Sequence, residues 1–82
     1  MRAIVVYAIK FESGQTYVGI SEDLDRRFEE HRRRQSPSTK RFFGEFRLIY
    51  RKSFPDYLSA RQHEKFLKSG AGRQLLDTIV RT

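Results

Sequence analysis

The hydrophobic residues of the chain lie in short runs separated by turn signals, and the first two runs indicate strands. Residues 3–11 (AIVVYAIKF) are apolar at almost every position, which is typical of a central strand covered on both faces. The turn-forming segment ESGQ follows, in which Gly14 suits a positive φ. Residues 16–20 (TYVGI) form the next run. The pattern therefore predicts an antiparallel hairpin.

Helix signals begin directly after this hairpin. Ser21 is a candidate N-cap, and the two acidic residues after it suit the positive end of the helix dipole. Leu24 and Phe28 are four positions apart and share one face, so we expect the helix to bury that face. The helix is predicted to end near Arg34, before a loop (QSPST) centred on Pro37.

The second half of the chain predicts one more strand and two helices. Residues 45–53 alternate between a more apolar face and a wetter face, which is the period of a strand. Asp56 is a candidate cap for a helix over 57–69, and a glycine break separates that helix from a last one over about 72–79. The order ββαβαα predicts an α/β fold with a small three-stranded, mainly antiparallel sheet flanked by helices. The predicted third strand has Phe46, Leu48 and Tyr50 on the more apolar face and Arg47, Ile49 and Arg51 on the wetter one.

Composition limits the class of protein. The 82 residues are expected to form one domain, residues 1–82, and seven Phe and four Tyr supply enough apolar surface for a folded core. The chain contains no cysteine, so disulfides and thiolate metal sites are excluded. No apolar run approaches the length of a membrane span, and no signal-peptide pattern opens the sequence. We therefore expect a cytoplasmic protein without a membrane partner.

The charge of the chain indicates a polyanionic partner. The formal net charge is +7, and arginine outnumbers lysine by 12 to 5. The guanidinium group binds phosphate oxygens in bidentate geometry, so an excess of arginine is typical of proteins that contact nucleic acid. A merely solvated basic surface is the alternative interpretation. Seven cationic residues fall close together in the sequence: Arg26, Arg27, Arg32, Arg33, Arg34, Lys40 and Arg41.

A carboxylate lies within an apolar stripe of the helix predicted over residues 57–69. Glu64 shares the spacing of Tyr57, Ala60 and Leu67, which predicts that all four face inward. Burying a carboxylate is costly unless it is paired or bound to a cation. One interpretation is an ion pair with Arg61 or Lys68 on the same helix. The other is a ligand for a hard divalent cation such as Mg²⁺, which often takes only one or two protein carboxylates.

Four further residues are candidates for chemistry because of where the elements place them. Arg27 and His31 are four positions apart on the first helix, at the edge of its packed face. Tyr7 and Tyr17 lie on the two strands of the hairpin. A two-residue turn would place the two tyrosines on opposite faces of the sheet, and a three-residue turn over Ser13 to Gln15 would place them on the same face.

Several short motifs follow one another in an order that resembles a known family. The first reads Val5-Val6-Tyr7, the second Tyr17-Val18-Gly19, and the helix segment 24–31 reads LDRRFEEH. Later come Ala60, Glu64, Lys65 and Lys68, and then the run KSGAGRQLL. Together they resemble the GIY-YIG nuclease domain, in particular short standalone members similar to the N-terminal incision domain of the nucleotide-excision-repair nuclease. Three positions differ: Val5-Val6 replaces Gly-Ile, and Ile20 stands where relatives carry Thr or Lys.

The resemblance implies a phosphodiesterase that uses one divalent metal ion, Mg²⁺ or Mn²⁺. It implies that Glu64 holds this ion and that Tyr7 is the general base on the attacking water. It further implies that Tyr17 helps to hold the water and that Arg27 braces the phosphate, with His31 nearby. A phenol is a poor base at its ordinary pKa, so these roles lead us to expect a pKa of Tyr7 lowered by the metal and by Arg27.

The resemblance also implies DNA as the substrate, gripped mainly through its phosphates. A glycine inside a strand suggests close approach of another group, and we expect Gly19 to leave room beside Tyr17 for a phosphate. The sequence leaves the oligomeric state open. The full predicted substrate-binding set is Gly19, Arg26, Arg32, Arg33, Arg34, Lys40, Arg41, Lys65 and Lys68.

The sequence is compatible with three functions, and the third has the least support. The first is an endonuclease with a structural or weakly sequence-specific preference, in DNA repair or recombination. The second is a non-catalytic nucleic-acid-binding module on a degenerate nuclease fold, in which Phe42 and Phe43 would stack on bases. The third is a protein-interaction adaptor, for which only the short length speaks.

Overall fold

The computed structural model describes residues 3–33 and 45–81, and it shows three strands and three helices in the predicted order ββαβαα. Within these residues, no helix is both long enough and apolar enough to cross a membrane. The predicted loop around Pro37 and the stacking residues Phe42 and Phe43 lie outside the described residues. The elements are β1 (Ile4–Phe11), β2 (Thr16–Ser21), α1 (Leu24–Arg32), β3 (Phe46–Phe54), α2 (Tyr57–Lys68) and α3 (Gly70–Arg81).

The three strands form one antiparallel sheet in the order β2-β1-β3. The central strand is β1, and all but one of its residues are buried, as its continuous apolar run predicts. Both edge strands are less buried than β1, and β3 contains no fully buried residue. The predicted fold class is confirmed.

The hairpin between β1 and β2 closes through a three-residue turn. The backbone N–H of Phe11 donates to the carbonyl of Gln15, so residues 12–14 form the loop, one position earlier than predicted. Gly14 has a φ of 97°, the left-handed conformation that ends such a turn. The resulting register pairs Tyr7 with Gly19, and Tyr17, two residues from Gly19, lies on the same face of the sheet as Tyr7.

A β-bulge changes the predicted faces of β3. Ala8 pairs with Tyr50 and Ile9 pairs with Leu48, so Ile49 is an extra residue in β3 with no opposite partner. The shift moves every later side chain to the other face. Phe46 and Leu48 therefore do not share a face with Tyr50, and the predicted strict alternation is wrong at this point.

Helices cover the sheet on both faces and divide the core into two clusters. On one face α1 packs with Leu24 and Phe28 against the sheet residues Tyr7 and Ile9. On the other face α2 and α3 cover the sheet. Its buried cluster consists of Ile4, Val6, Ala8, Val18, Ala60, Leu67 and Leu76. The two-sided cover explains why so small a chain has a fully buried central strand.

The caps of the helices follow the local chemistry of aspartate and serine. The N-cap of α1 is Asp23, whose side chain accepts a hydrogen bond from the backbone N–H of Arg26. Ser21 is instead the buried last residue of β2, and its hydroxyl bonds to the backbone of Asp23, so the predicted cap is wrong by two residues. Asp56 caps α2 as predicted, through Ser59.

The junction between α2 and α3 is tighter than the sequence pattern indicates. The last helix begins at Gly70 rather than at Gly72, because the carbonyl of Ser69 already accepts the first hydrogen bond of the helix, from Arg73. A Cβ atom at Gly72 would collide with the backbone of Phe66 and Leu67. Glycine here allows α3 to fold back directly onto α2.

Candidate active site

A tyrosine and a histidine share a buried hydrogen bond between the sheet and α1. The side chain of Tyr7 projects from the middle of β1 toward α1 and is fully buried. Its hydroxyl oxygen lies 2.9 Å from Nε2 of His31, in the last turn of α1. His31 is only 3% exposed, so it lies inside the packed layer rather than at its rim. These two side chains form the centre of the candidate site.

Aromatic rings enclose the pair. The ring of Tyr17 lies edge-on to the ring of His31, with centroids 5.2 Å apart, and 6.1 Å from the ring of Tyr7. Phe28 packs edge-on against Tyr7, and Phe46 packs edge-on against His31. Phe46 comes from β3 and was not predicted to be near the site, because no local pattern reports on a contact between β3 and α1.

Burial controls the protonation of both groups. Desolvation raises the pKa of Tyr7 far above its ordinary value of 10.0, Tyr17 adds to this effect, and only Arg27 opposes it. Desolvation also lowers the pKa of His31 below its ordinary value of 6.5, and the positive charge of Arg27 lowers it further. The expectation of a lowered pKa for Tyr7 is therefore not met in the protein alone. At neutral pH the pair consists of a phenol and a neutral imidazole.

Gly19 provides space for the two tyrosines. A Cβ atom at this position would lie 2.7 Å from the Tyr7 hydroxyl and 2.8 Å from Cε2 of Tyr17, both far too close. The glycine is required because these rings fill the space above its backbone. We had expected that space to hold a phosphate, and the structure fills it with protein side chains instead.

Arg27 lies beside this cluster on α1. Its guanidinium forms an ion pair with Glu30, with Nη1 3.4 Å from Oε1, and both side chains are partly exposed. Glu30 also raises the pKa of Tyr7, so it lies within electrostatic reach of the site. Glu30 is not among the site residues predicted from the sequence, although its position three residues after Arg27 on a helix indicates an ion pair.

Glu64 is the carboxylate nearest the site on α2. Its side chain is 16% exposed, and its Oε2 lies 3.2 Å from Nζ of Lys68. This is the ion pair that the first interpretation of the sequence predicts. The charge of Glu64 raises the pKa of Tyr7, which places it within electrostatic reach of the hydroxyl. Ala60 and Leu67 of the same stripe are fully buried, but Tyr57 is exposed, so the predicted stripe is wrong at its first residue.

The donor set around Glu64 fits a hard cation that keeps most of its own waters. Residues 3–33 and 45–81 contain no group of three or more His, Cys, Asp or Glu side chains placed to share a metal ion. A zinc-type cage within that part of the chain is therefore excluded. A single, partly accessible carboxylate suits Mg²⁺ or Mn²⁺, because such ions complete their shell with water and substrate phosphates.

The other predicted phosphate contacts are spread around α1 and α2. Arg32 and Arg33 both pair with Glu29, and the guanidinium of Arg32 also lies over the ring of Phe46. Their charge is thus partly compensated within α1. Arg26 and Lys65 are exposed, and Lys68 pairs with Glu64 as described. Three predicted contacts lie outside the described residues: Arg34, Lys40 and Arg41.

The unusual residue after the second motif lies on the far side of the sheet. Ile20 pairs with Val6 and packs against the core cluster beneath α2 and α3. It therefore faces away from Tyr7 and His31. Its apolar character is explained by this packing, and it leaves the tyrosine–histidine pair unaffected.

Comparisons with known proteins agree with the fold. A family model described as the GIY-YIG catalytic domain matches residues 3–75. The solution NMR structure of the UPF0213 protein BH0048 from Bacillus halodurans is similar, with 28% sequence identity and a TM-score of 0.57. The match covers 94% of this chain and 84% of that one. No curated protein matches the sequence significantly.

Proposed function

The chain belongs to the GIY-YIG family, and from this premise we propose that it is a divalent-metal-dependent DNA endonuclease that hydrolyses phosphodiester bonds. One observation carries the proposal. Tyr7, which is hydrogen-bonded to His31, lies within electrostatic reach of both Arg27 and Glu64. A base, a cation and a carboxylate in one place are the groups that phosphodiester hydrolysis requires.

His31 supplies the proton acceptor that Tyr7 needs in order to act as a base. A free phenolate at Tyr7 is unfavourable, because burial raises the pKa of this hydroxyl. The neutral imidazole of His31 offers a nearby acceptor. We therefore propose that Tyr7 accepts a proton from the attacking water while its own proton moves to Nε2 of His31. Tyr7 then never carries a full negative charge, and Tyr17 helps to hold the water.

Arg27 and Glu64 serve the phosphate. Arg27 is partly exposed and would exchange its ion pair with Glu30 for the phosphate oxygens, whose charge grows as the water attacks. Glu64 would hold the divalent cation, Mg²⁺ or Mn²⁺, after release from Lys68. That ion, when bound, supplies Lewis-acid stabilisation of the phosphoryl oxygens. The leaving oxygen takes its proton from solvent.

Substrate contacts are proposed to involve phosphates more than bases, which favours recognition of DNA shape. Arg26 and Lys65 expose their charges on α1 and α2. Arg32 and Arg33 would add weaker contacts because Glu29 already compensates them. We propose a role in DNA repair or recombination, where branched or nicked DNA is the natural substrate of an enzyme that reads shape.

The direct test is cleavage of branched, nicked and plain duplex DNA by the full chain, with Mg²⁺, with Mn²⁺ and with a chelator. We expect cuts with either metal, faster on branched or nicked DNA, and none with the chelator. Binding that persists without any cleavage would contradict the nuclease and favour the non-catalytic binding module. Cleavage that continues in chelator would contradict the metal requirement.

The proposed proton path predicts a specific pH dependence. Protonated His31 has no lone pair on Nε2, so cleavage should fall as the pH drops through the pKa of His31, below 6.5. Titration of Tyr7 should not change the cleavage rate near neutral pH, because burial raises the pKa of Tyr7. His31→Gln keeps a hydrogen-bond acceptor near the hydroxyl but cannot take the proton. We expect it to lower the single-turnover rate about 10²-fold and to remove the acid limb.

Tyr7→Phe is the companion variant. It should reduce the rate at least as much as His31→Gln, and the double variant should be no slower than the slower single one, because both act in one path. An acid limb that survives in His31→Gln would show that another group titrates. Near-ultraviolet circular dichroism would confirm that each variant keeps the packed aromatic cluster.

A further inference from the structure

A hydrogen bond outside the active site joins two elements on the molecular surface. The hydroxyl of Tyr57, the first residue of α2, donates to Oε1 of Glu22 at a distance of 2.8 Å. Glu22 lies in the short connection between β2 and α1. Both side chains are exposed, Tyr57 to 47%. Neither residue has a role in the proposed reaction.

Two arginines lie within electrostatic reach of the Tyr57 hydroxyl. The bond to Glu22 raises the pKa of Tyr57, while Arg61 and Arg26 are close enough to oppose that rise. Arg61 lies one turn after Tyr57 on α2, and Arg26 lies in the first turn of α1. The Glu22 carboxylate therefore sits beside a phenol, with two guanidinium groups nearby.

Arg26 and Arg61 differ from the three arginines near the candidate active site. Arg27, Arg32 and Arg33 are each paired with a glutamate. Within residues 3–33 and 45–81, neither Arg26 nor Arg61 forms an ion pair, so their donors remain available to a ligand. A hydroxyl with two unpaired guanidinium groups within electrostatic reach of it is suited to an oxyanion, and arginine binds phosphate in bidentate geometry.

We propose that Tyr57, Arg26 and Arg61 form a second phosphate-binding subsite for DNA, and that Glu22 occupies it in the free protein as a stand-in for the phosphate. This inference rests on the proposed DNA substrate. Tyr57 precedes Glu64 by seven residues on α2, which is about 10 Å along the helix axis. Successive phosphates of a DNA strand are spaced by about 3.4 Å along its axis, so the subsite would hold a phosphate other than the scissile one.

Occupation of the subsite by Glu22 has two consequences for DNA binding. DNA must displace the Glu22 carboxylate from Tyr57 before the subsite can bind a phosphate, so Glu22 weakens DNA binding. Glu22 also favours DNA that contacts the subsite and the metal site at Glu64 at the same time. Only such DNA gains enough contacts to compensate for the lost hydrogen bond between Tyr57 and Glu22. If the hydrogen bond were merely a tether between α2 and the β2–α1 connection, Glu22 would affect stability and not binding.

The test measures binding of the full chain to a short fluorescent duplex in the presence of a chelator, so that cleavage cannot interfere. Glu22→Gln keeps the acceptor for Tyr57 but removes the charge. Asp77→Asn is the matched control, because it makes the same charge change at an exposed position on α3. We expect Glu22→Gln to lower Kd about fivefold and Asp77→Asn to lower it by less than about twofold.

Tyr57→Phe supplies the second variant. It should raise Kd about threefold, and in the Glu22→Gln background it should remove most of the gain. Equal effects of Glu22→Gln and Asp77→Asn would overturn the subsite. So would a lowered Tm of Glu22→Gln without tighter binding, which is the result expected of a tether. Cleavage by the wild-type protein is measured separately, so loss of the subsite and loss of the nuclease activity are distinguishable.

Discussion

Glu64→Gln is expected to lower the single-turnover rate of DNA cleavage by at least about 10³-fold in Mg²⁺, because the amide cannot hold a hard cation next to the phosphate. The side chain keeps its size, so its neighbours Ala60 and Leu67 remain packed. Loss of the ion pair with Lys68 should cost little stability, because Lys68 is exposed and ion pairs at the protein surface contribute about 0 to 1 kcal/mol. Binding to DNA without metal should be unchanged or slightly tighter.

Direct metal binding gives a readout that does not depend on catalysis. Wild-type protein should bind Mn²⁺ measurably by water-proton relaxation, and Glu64→Gln should bind it far more weakly. Glu30→Gln is the matched control, because Glu30 also lies near Tyr7 but pairs with Arg27. If Glu64→Gln cuts within about threefold of the wild-type rate, Glu64 is not the metal ligand. If Glu30→Gln loses Mn²⁺ instead, the cation belongs on the α1 side of the site.

Gly19→Ala is expected to disrupt both folding and the site. The added methyl group would lie 2.7 Å from the Tyr7 hydroxyl, and that ring is fully buried and unable to move aside. We expect a loss of about 2 to 3 kcal/mol in the free energy of unfolding. For a domain of this size that loss lowers Tm by roughly 10 to 20 °C. Any folded fraction should also cut poorly, because the hydroxyl would be displaced from His31.

Two variants separate this steric effect from a general intolerance of alanine. Gly70→Ala introduces the same methyl group where no atom lies within 4 Å, so its Tm should stay close to that of the wild type. Tyr7→Phe removes the nearest atom, so adding it to Gly19→Ala should recover part of the lost stability. A Gly19→Ala protein as stable as Gly70→Ala would show that Tyr7 and Tyr17 do not fill that space.

Most of the fold follows from local patterns in the sequence. The unbroken apolar run of β1 predicts its central place, the turn residues predict the hairpin, and Asp56 predicts the start of α2. Each of these features depends on a few neighbouring residues and on the conformational preferences of the backbone. The errors occur where distant residues compete. Ser21 is taken into β2, which leaves Asp23 to cap α1, and Ile49 is bulged out of β3.

The candidate site was predicted as a set of residues but not as an arrangement. Motif order is a property of the chain, so Tyr7, His31 and Glu64 were recognisable without coordinates. Their environment was not. Burial of the tyrosine–histidine pair depends on α1 closing over the sheet, and it reverses the expected direction of the Tyr7 pKa. Glycine within β2 indicates a close approach to the backbone at Gly19, and the groups that approach are two tyrosyl rings rather than a ligand.

The sequence by itself therefore determined the elements, their order and the residues available for chemistry, because backbone propensity and periodicity act over a few positions. Only the tertiary structure decided which groups are in contact, how far each is buried from solvent and which protonation state it adopts. Register, bulges and helix placement bring together residues far apart in the chain, such as Glu22 and Tyr57. Desolvation depends on everything packed around a group, and no local stretch of sequence contains that information.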